Sequence, residues 1–243
     1  MEPSTHTLPD GRRIAYRLVA GKGPTIAFLP GYMSDMSGSK AAALAEWAQA
    51  HGRACLLLDY SGCGLSDGAF ADGTLSRWRD EVVALATAVT RGPLVLVGSS
   101  MGGWLMLLVA LALPDRVAGL VGIAPAPDFT QWGFDQGEQA QLTAGQVLYR
   151  PNLYGHPPTP THPGFWQDGQ ANRLLDGPIA LDCPVRLLHG QADEVVPPDI
   201  SMRLAERLGS ADVQLTLVKG GDHRLSSPTQ IDLLLRIVAA LIA

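Results

Sequence analysis

Short apolar blocks alternate with helical patterns along almost the whole chain, from Thr25 to the C-terminus. This order is typical of a mostly parallel β-sheet with helices on both faces, because each helix supplies the crossover between two parallel strands. Segment 12–19 follows an Asp10-Gly11 turn and predicts an antiparallel hairpin at one edge. The apolar blocks predict strands at 25–29, 54–58, 94–97, 117–123, 185–189 and 213–218. The helical patterns predict helices at 40–50, 75–90, 102–113, 198–208 and 229–241.

The length of 243 residues suits one compact domain with a substantial core. We predict a single domain, 1–243, with a cap inserted at about 125–182, where prolines and aromatic rings interrupt the alternation. A linker rarely carries so many large rings, whereas a cap must line a pocket; packing of the rings onto the sheet is the alternative. The rings belong to Phe129, Trp132, Phe134, Tyr149, Tyr154, Phe165 and Trp166.

Charge and cysteine content argue against several classes of protein. A net charge of −5 gives no basic surface for nucleic acid, so no nucleic-acid partner is predicted. The three cysteines, Cys55, Cys63 and Cys183, have neither disulfide-framework nor metal-ligand spacing. Residues 1–16 lack the apolar run of a secretory leader. We expect no metal, no cofactor and a reducing, cytoplasmic setting.

No charged residue occurs between Arg91 and Asp115, a stretch long enough to cross a bilayer. Gly98-Ser99-Ser100 interrupts this stretch midway, after a β-rich block and before an apolar helical pattern. A buried strand, a turn and a buried helix explain the stretch better than a membrane span, and stable membrane insertion is not predicted.

The turn in this stretch is a GxSxG motif, Gly98-Ser99-Ser100-Met101-Gly102, placed between a strand and a helix. That context is what a nucleophile elbow requires, because the turn is tight and side chains at both glycine positions would collide with backbone. Ser99 is the adjacent competitor, but the spacing to the two glycines selects Ser100 as the nucleophile.

A serine hydroxyl needs a histidine to accept its proton and a carboxylate to orient that histidine. Both are expected downstream in loops at the carboxyl ends of later strands, which selects Asp193 and His223. Glu194 could replace Asp193 if the turn is one residue longer, and Asp222 could shape only the histidine loop.

The positions of the other five histidines indicate structural or peripheral roles. His189 ends a predicted buried strand and is expected to hydrogen-bond to backbone or carboxylate in the core. His6 lies before the predicted fold and His51 ends a surface helix, while His156 and His162 lie in the cap.

A tetrahedral intermediate needs two backbone N–H donors. One is predicted from Met101, the residue after the nucleophile, and the other from Tyr32, where Gly31 permits a tight turn after the first parallel strand. Asp59 is predicted to brace the loop at 59–68 by hydrogen bonds, since that loop has no complete dinucleotide or phosphate motif.

Several of these segments resemble the α/β-hydrolase domain-containing protein 10 family of mitochondrial palmitoyl-protein thioesterases. The likeness extends from Phe28 to Leu235 and is weakest in the cap. The most specific matches are Gly31-Tyr32-Met33-Ser34, Asp59-Tyr60-Ser61-Gly62, the elbow from Gly98 to Met106 and Arg186-Leu187-Leu188-His189-Gly190.

The resemblance implies an α/β-hydrolase fold and hydrolysis of an S-acyl thioester, an acyl ester or an acyl glucuronide, with Ser100, Asp193 and His223 in the matching roles. The expected partner is an acylated small molecule or an acylated protein. Mitochondrial import is not expected to carry over, because no Arg- and Ser-rich leader is visible. The alternatives are a carboxylesterase acting on oxoesters and a binding module that kept the fold without catalysis.

Overall fold

The computed structural model describes residues 2–152, 155 and 157–242. The strands are β1 (Ser4–Thr7), β2 (Arg13–Val19), β3 (Lys22–Leu29), β4 (Arg53–Leu58), β5 (Leu94–Ser99), β6 (Val117–Ile123), β7 (Leu148–Arg150), β8 (Thr159–Thr161), β9 (Val185–Gly190) and β10 (Val213–Val218). The helices are α1 (Ser39–Ala50), α2 (Leu75–Val89), α3 (Met101–Ala112), α4 (Phe129–Trp132), α5 (Gln136–Thr143), α6 (Pro163–Ala171), α7 (Pro198–Arg207) and α8 (Pro228–Leu241). A short 3-10 helix, Phe70–Asp72, precedes α2.

Eight strands form one sheet in the order β1-β2-β4-β3-β5-β6-β9-β10. All neighbours from β4 to β10 pair in parallel, while β2 is antiparallel to both β1 and β4. The mostly parallel sheet with an antiparallel edge hairpin is therefore confirmed. Each of the predicted strands and helices is present, and its ends lie within three residues of the predicted ones.

One interpretation of the N-terminal region was wrong: His6 does not precede the fold. It lies in β1, where it pairs with Ile14 of β2. The residues of β1 are polar and mostly exposed, so this edge strand carries no apolar period from which it could be predicted.

The sheet is buried on both faces by helices, as a parallel sheet requires. Every residue of β5 is buried, and so are the first ten residues of α3, from Met101 to Ala110. The uncharged stretch after Arg91 is thus a central strand followed by a core helix. Among the described residues, no helix has the length and apolar character needed to span a membrane.

The segment predicted as a cap lies between β6 and β9 and carries α4, α5, α6 and the small β7–β8 hairpin. The Asp128 carboxylate accepts hydrogen bonds from the Leu174 and Leu175 N–H groups, each at 2.8 Å, which joins the start of the segment to its end. The indole N–H of Trp104 on α3 donates to the Asn172 carbonyl at 3.1 Å. Tyr154 and His156, which were assigned to the cap, lie outside the described residues.

Candidate active site

Ser100 lies at the sharp turn between β5 and α3, with φ 55° and ψ −120°. Such a backbone conformation costs a non-glycine residue about 1–3 kcal/mol, so its surroundings must hold it. The Ser100 N–H donates to the Ile123 carbonyl at 2.9 Å, and the Ser100 carbonyl accepts from the N–H groups of Gly103 and Ala126. These bonds fix the turn so that the side chain projects from the carboxyl end of the sheet.

The two motif glycines are required by close backbone contacts. A Cβ at Gly98 would lie 2.3 Å from the Gly102 carbonyl oxygen, and a Cβ at Gly102 would lie 2.1 Å from the Leu29 carbonyl oxygen. Both distances are far below van der Waals contact, and both neighbours are backbone atoms, one in α3 and one in β3. The glycines let α3 begin directly against β3 and β5.

Gly102→Ala is therefore expected to lower the free energy of unfolding by roughly 3 kcal/mol, because the backbone must shift to admit the methyl group. Gly164→Ala is a matched control, since Gly164 is also the second residue of a helix, α6, but a Cβ there meets no atom within 4 Å. That variant should gain about 0.5 kcal/mol. Urea denaturation of both variants tests the pair; equal changes would contradict the packing argument.

Three side chains from different loops meet at Ser100. The His223 ring lies with Nε2 3.0 Å from Ser100 Oγ and with Nδ1 2.8 Å from Asp193 Oδ2. Asp193 follows β9 and His223 follows β10, so both loops leave the same edge of the parallel sheet as the Ser100 turn. A carboxylate only accepts hydrogen bonds, so Nδ1 carries the proton and Nε2 is left to accept the hydroxyl proton of Ser100.

Asp193 is buried and surrounded by donors. Its Oδ1 accepts from the N–H groups of Val195 and Val196, each at 2.8 Å, and its Oδ2 accepts from His223. Burial by itself favours the neutral carboxyl, but the hydrogen bonds from His189, His223 and the Val196 N–H outweigh burial and hold the pKa of Asp193 below its usual value. Asp193 therefore remains an anion beside the His223 ring.

His189 supports this carboxylate from within the sheet. It is fully buried in β9, with Nε2 2.9 Å from the Val196 carbonyl and 3.2 Å from Asp193 Oδ2, and Nδ1 2.7 Å from Ser201 Oγ. The partners fit a neutral ring whose Nε2–H donates and whose Nδ1 accepts from the Ser201 hydroxyl. The contact with Ser201 on α7 was not found by sequence reasoning, because no periodic signal links the two residues.

The competing residues lie elsewhere. Glu194 is exposed, whereas Asp193 faces the histidine. Asp222 accepts a hydrogen bond from the Leu225 N–H at 3.0 Å. It therefore shapes the histidine loop, which is the role that the sequence offered for it as an alternative to catalysis. His51 caps α1 and stacks on Trp47, and His162 precedes α6.

The two predicted oxyanion donors have free N–H groups. Among the described residues, neither the Tyr32 N–H nor the Met101 N–H has an acceptor. Met101 begins α3, so its N–H belongs to the positive end of that helix. The loop before Tyr32 is close to the elbow, since a Cβ at Gly31 would lie 3.5 Å from Ser100 Cβ. The left-handed residue of this loop is Met33, with φ 55°, rather than Gly31.

The loop that carries Tyr32 is braced by Asp59, which follows β4. The Asp59 carboxylate accepts from the Met36 N–H at 2.7 Å and from the Leu65 N–H at 2.8 Å. It thus ties its own loop to the loop between β3 and α1. The predicted brace is present and also reaches a second loop.

The Tyr32 side chain lies under the segment between β6 and β9. Its hydroxyl donates to the Pro160 carbonyl at 3.0 Å, and its ring centroid lies 4.8 Å from that of Phe165 and 6.1 Å from that of Phe129. Two rings from outside this segment also contact Tyr32: the centroid of Phe70 lies at 5.0 Å and that of Trp78 at 6.5 Å from the Tyr32 centroid. We call these five rings the Tyr32 cluster. Sequence reasoning missed Phe70 and Trp78 because it sought pocket residues only in the cap.

Two surface cavities, of about 490 and 130 Å³, lie away from Ser100. The larger is lined by residues that include Leu8, Arg12 and Arg77, far from the elbow in the chain, and has no nucleophile paired with a base. The hydrogen-bonded arrangement at Ser100 is therefore a better indication of chemistry than cavity size. No group of three or more His, Cys, Asp or Glu side chains suited to a metal ion occurs in the described part of the chain.

Two family models and several known proteins are similar to this chain. The family model described as "alpha/beta hydrolase fold" matches residues 24–164, and one described as "Serine aminopeptidase, S33" matches residues 169–229. The human protein named "Palmitoyl-protein thioesterase ABHD10, mitochondrial" is 39% identical over 240 residues, which cover 96% of this chain and 78% of that protein.

Two solved structures superpose over the whole chain with a TM-score of 0.93 each. One is a putative hydrolase from Agrobacterium vitis S4, 39% identical, with all of both chains covered. The other is α/β-hydrolase domain-containing protein 10 from mouse, 38% identical, with 98% of that chain covered.

Proposed function

The chain belongs to the α/β-hydrolase family, among hydrolases of esters and thioesters, and we propose that it cleaves acyl thioesters through an acyl-enzyme formed on Ser100. The observation that carries the proposal is the hydrogen-bonded chain from Asp193 through His223 to Ser100. The thioester class is supported by the relatives named palmitoyl-protein thioesterase.

In the proposed reaction, Ser100 Oγ attacks the thioester carbonyl while His223 Nε2 takes its proton. The Asp193 anion stabilises the imidazolium, and the free N–H groups of Tyr32 and Met101 receive the developing oxyanion. Collapse breaks the C–S bond, and the thiolate leaves with the proton from His223. Water then attacks the acyl-serine, gives a proton to His223 and releases the carboxylic acid, while Ser100 recovers its proton.

We place the acyl chain against the Tyr32 cluster. Tyr32 itself belongs to the cluster and its N–H would bind the oxyanion, so a chain attached to the reacting carbonyl would extend toward these rings. Removing acyl methylenes from water stabilises the complex in proportion to the apolar area buried. The rings contact one another in this structure, so a long chain must part or displace some of them.

The test is kcat/KM for matched thioester and oxoester series from acetyl to palmitoyl, with Ser100→Ala as the blank. We expect thioester values to rise by about fourfold for each methylene that becomes fully buried, until the pocket is filled. Preference for short oxoesters would instead indicate a general carboxylesterase. No Ser100-dependent turnover of any member would indicate a binding module.

A matched pair of variants locates the acyl site. Phe129 is half-buried, and its ring contacts those of Tyr32 and Trp104, whereas Tyr149 on β7 is 64% exposed. Phe129→Ala should change the dependence of kcat/KM on chain length, and Tyr149→Ala should leave it unchanged. Equal profiles for the two variants would place the acyl chain elsewhere.

A cytoplasmic location is also part of the proposal. It is supported by Cys55, Cys63 and Cys183, all of which are free thiols, because reducing compartments keep thiols in this state. The human relative is named mitochondrial, so cell fractionation decides the point for this chain. Recovery in an organelle or envelope fraction would contradict a cytoplasmic location.

A further inference from the structure

Lys40 occupies an unfavourable position in its helix. It is the second residue of α1, and no acidic residue lies in the first turn of that helix. The N-terminal end of a helix carries partial positive charge, so an ammonium group there is opposed by the helix dipole. The side chain is also half-buried, and burial lowers the pKa of Lys40 to about 8. A hydrogen bond of its ammonium group offsets part of this cost.

That contact is with the histidine loop, 184 residues further along the chain. Lys40 Nζ donates to the Arg224 carbonyl oxygen at 2.5 Å and lies 3.4 Å from Ser226 Oγ. The Ser226 hydroxyl donates to the same carbonyl at 2.9 Å. The carbonyl of Arg224, the residue after His223, therefore accepts two hydrogen bonds, one of them from a cation.

The other end of the same peptide unit is also held. The N–H of this Arg224–Leu225 peptide is that of Leu225, and it donates to Asp222 Oδ1 at 3.0 Å. Leu225 has φ 44° and is 2% exposed, so the peptide stands in a left-handed orientation that a branched side chain rarely adopts. Rotation of the peptide would relieve this strain and would move the backbone next to His223.

We propose that Lys40 is a positioning residue for His223, which acts by holding the Arg224–Leu225 peptide in the strained orientation that places Nε2 against Ser100 Oγ. This inference rests on the proposed function of His223 as the base. Arg224 and Asp222 are the charged groups of the loop that act on Lys40: the guanidinium opposes its charge and the carboxylate favours it. Lys40 itself touches neither Ser100 nor the substrate in this proposal.

The variants are Lys40→Met, which keeps the length of the side chain but removes the donor, and Lys40→Arg, which restores a cationic donor. Lys22→Met is the matched control, because Lys22 is exposed at the start of β3. At pH 7 we expect Lys40→Met to lower kcat about tenfold with KM nearly unchanged, as for loss of one charge-assisted hydrogen bond. Lys40→Arg should recover part of the rate, and Lys22→Met should match the parent chain.

A second measurement does not depend on turnover. Amide exchange at Leu225 should be faster in Lys40→Met than in Lys22→Met, and the His223 ring resonances should shift, while thermal unfolding shows that both variants are folded. Equal exchange and equal resonances in the two variants would overturn the inference, whether or not esters are cleaved. A parent chain that cleaves neither thioesters nor oxoesters, with exchange altered as expected, would instead refute the proposed function and leave the positioning contact standing.

Discussion

Ser100→Ala is expected to lower kcat for the preferred ester or thioester by roughly 10⁴- to 10⁶-fold, because removal of Oγ leaves no atom to form the acyl-enzyme. The only side-chain partner of Oγ among the described residues is His223 Nε2, so the substitution should change the free energy of unfolding little. His223→Ala should reduce kcat to a similar extent. The double variant should be no slower than either single one, because the two residues act as a unit.

Ser99→Ala is the control for this prediction. Ser99 is the last residue of β5, is buried, and pairs with Ile123 through its backbone in the sheet. Loss of the Ser99 hydroxyl should leave kcat within about threefold of the parent value, because this side chain does not contact the reacting atoms. Covalent labelling by a fluorophosphonate reports the nucleophile directly. Labelling that survives in Ser100→Ala but not in Ser99→Ala would show that the assignment is wrong.

Asp193→Asn is expected to lower kcat by about 10³- to 10⁴-fold. The amide can donate a hydrogen bond to His223 Nδ1, which would leave the proton on Nε2 and prevent that atom from accepting the proton of Ser100. Glu194→Gln is the matched control, since it removes an adjacent charge that is exposed. Steady-state kinetics of the pair separates the roles. Equal losses in both variants would mean that the acid is not Asp193 alone.

The same substitution has a consequence for stability. The folded-state pKa of Asp193 lies below its unfolded value, so its anion contributes stability that is present above about pH 4 and is lost as the pH falls. Asp193→Asn should therefore be less stable than the parent at pH 7, with a smaller difference in acid. Urea denaturation at several pH values measures this. A stability difference that grows as the pH falls would contradict the direction of the pKa shift.

The order and type of the core elements followed from local patterns. The block at 94–97 is apolar throughout, as expected of a central strand that is buried on both faces, and the glycines of the elbow mark where the strand turns into α3. Such features depend on residues close in sequence, so the sequence alone predicts them. Polar β1 and the short elements between β6 and β9 lack these periods, which is why β1 was missed and the cap was predicted only as a region.

The candidate site was likewise predictable only in part. Ser100, Asp193 and His223 could be selected by residue type and by their places after predicted strands, because parallel strands bring their carboxyl ends to one edge. Only the tertiary structure brings the three side chains together, with contacts of 3.0 and 2.8 Å.

The sequence by itself thus determined the parallel sheet, the elbow and the residue types needed for an activated serine. Tertiary structure alone decided that Tyr32 joins a five-ring cluster with Phe70 and Trp78, that His189 supports Asp193, and that Lys40 reaches the Arg224 carbonyl. The physical reason is the distance along the chain over which each kind of interaction acts. Hydrophobic periodicity and turn chemistry act over a few residues, whereas these contacts join segments that come together only when the whole sheet has formed.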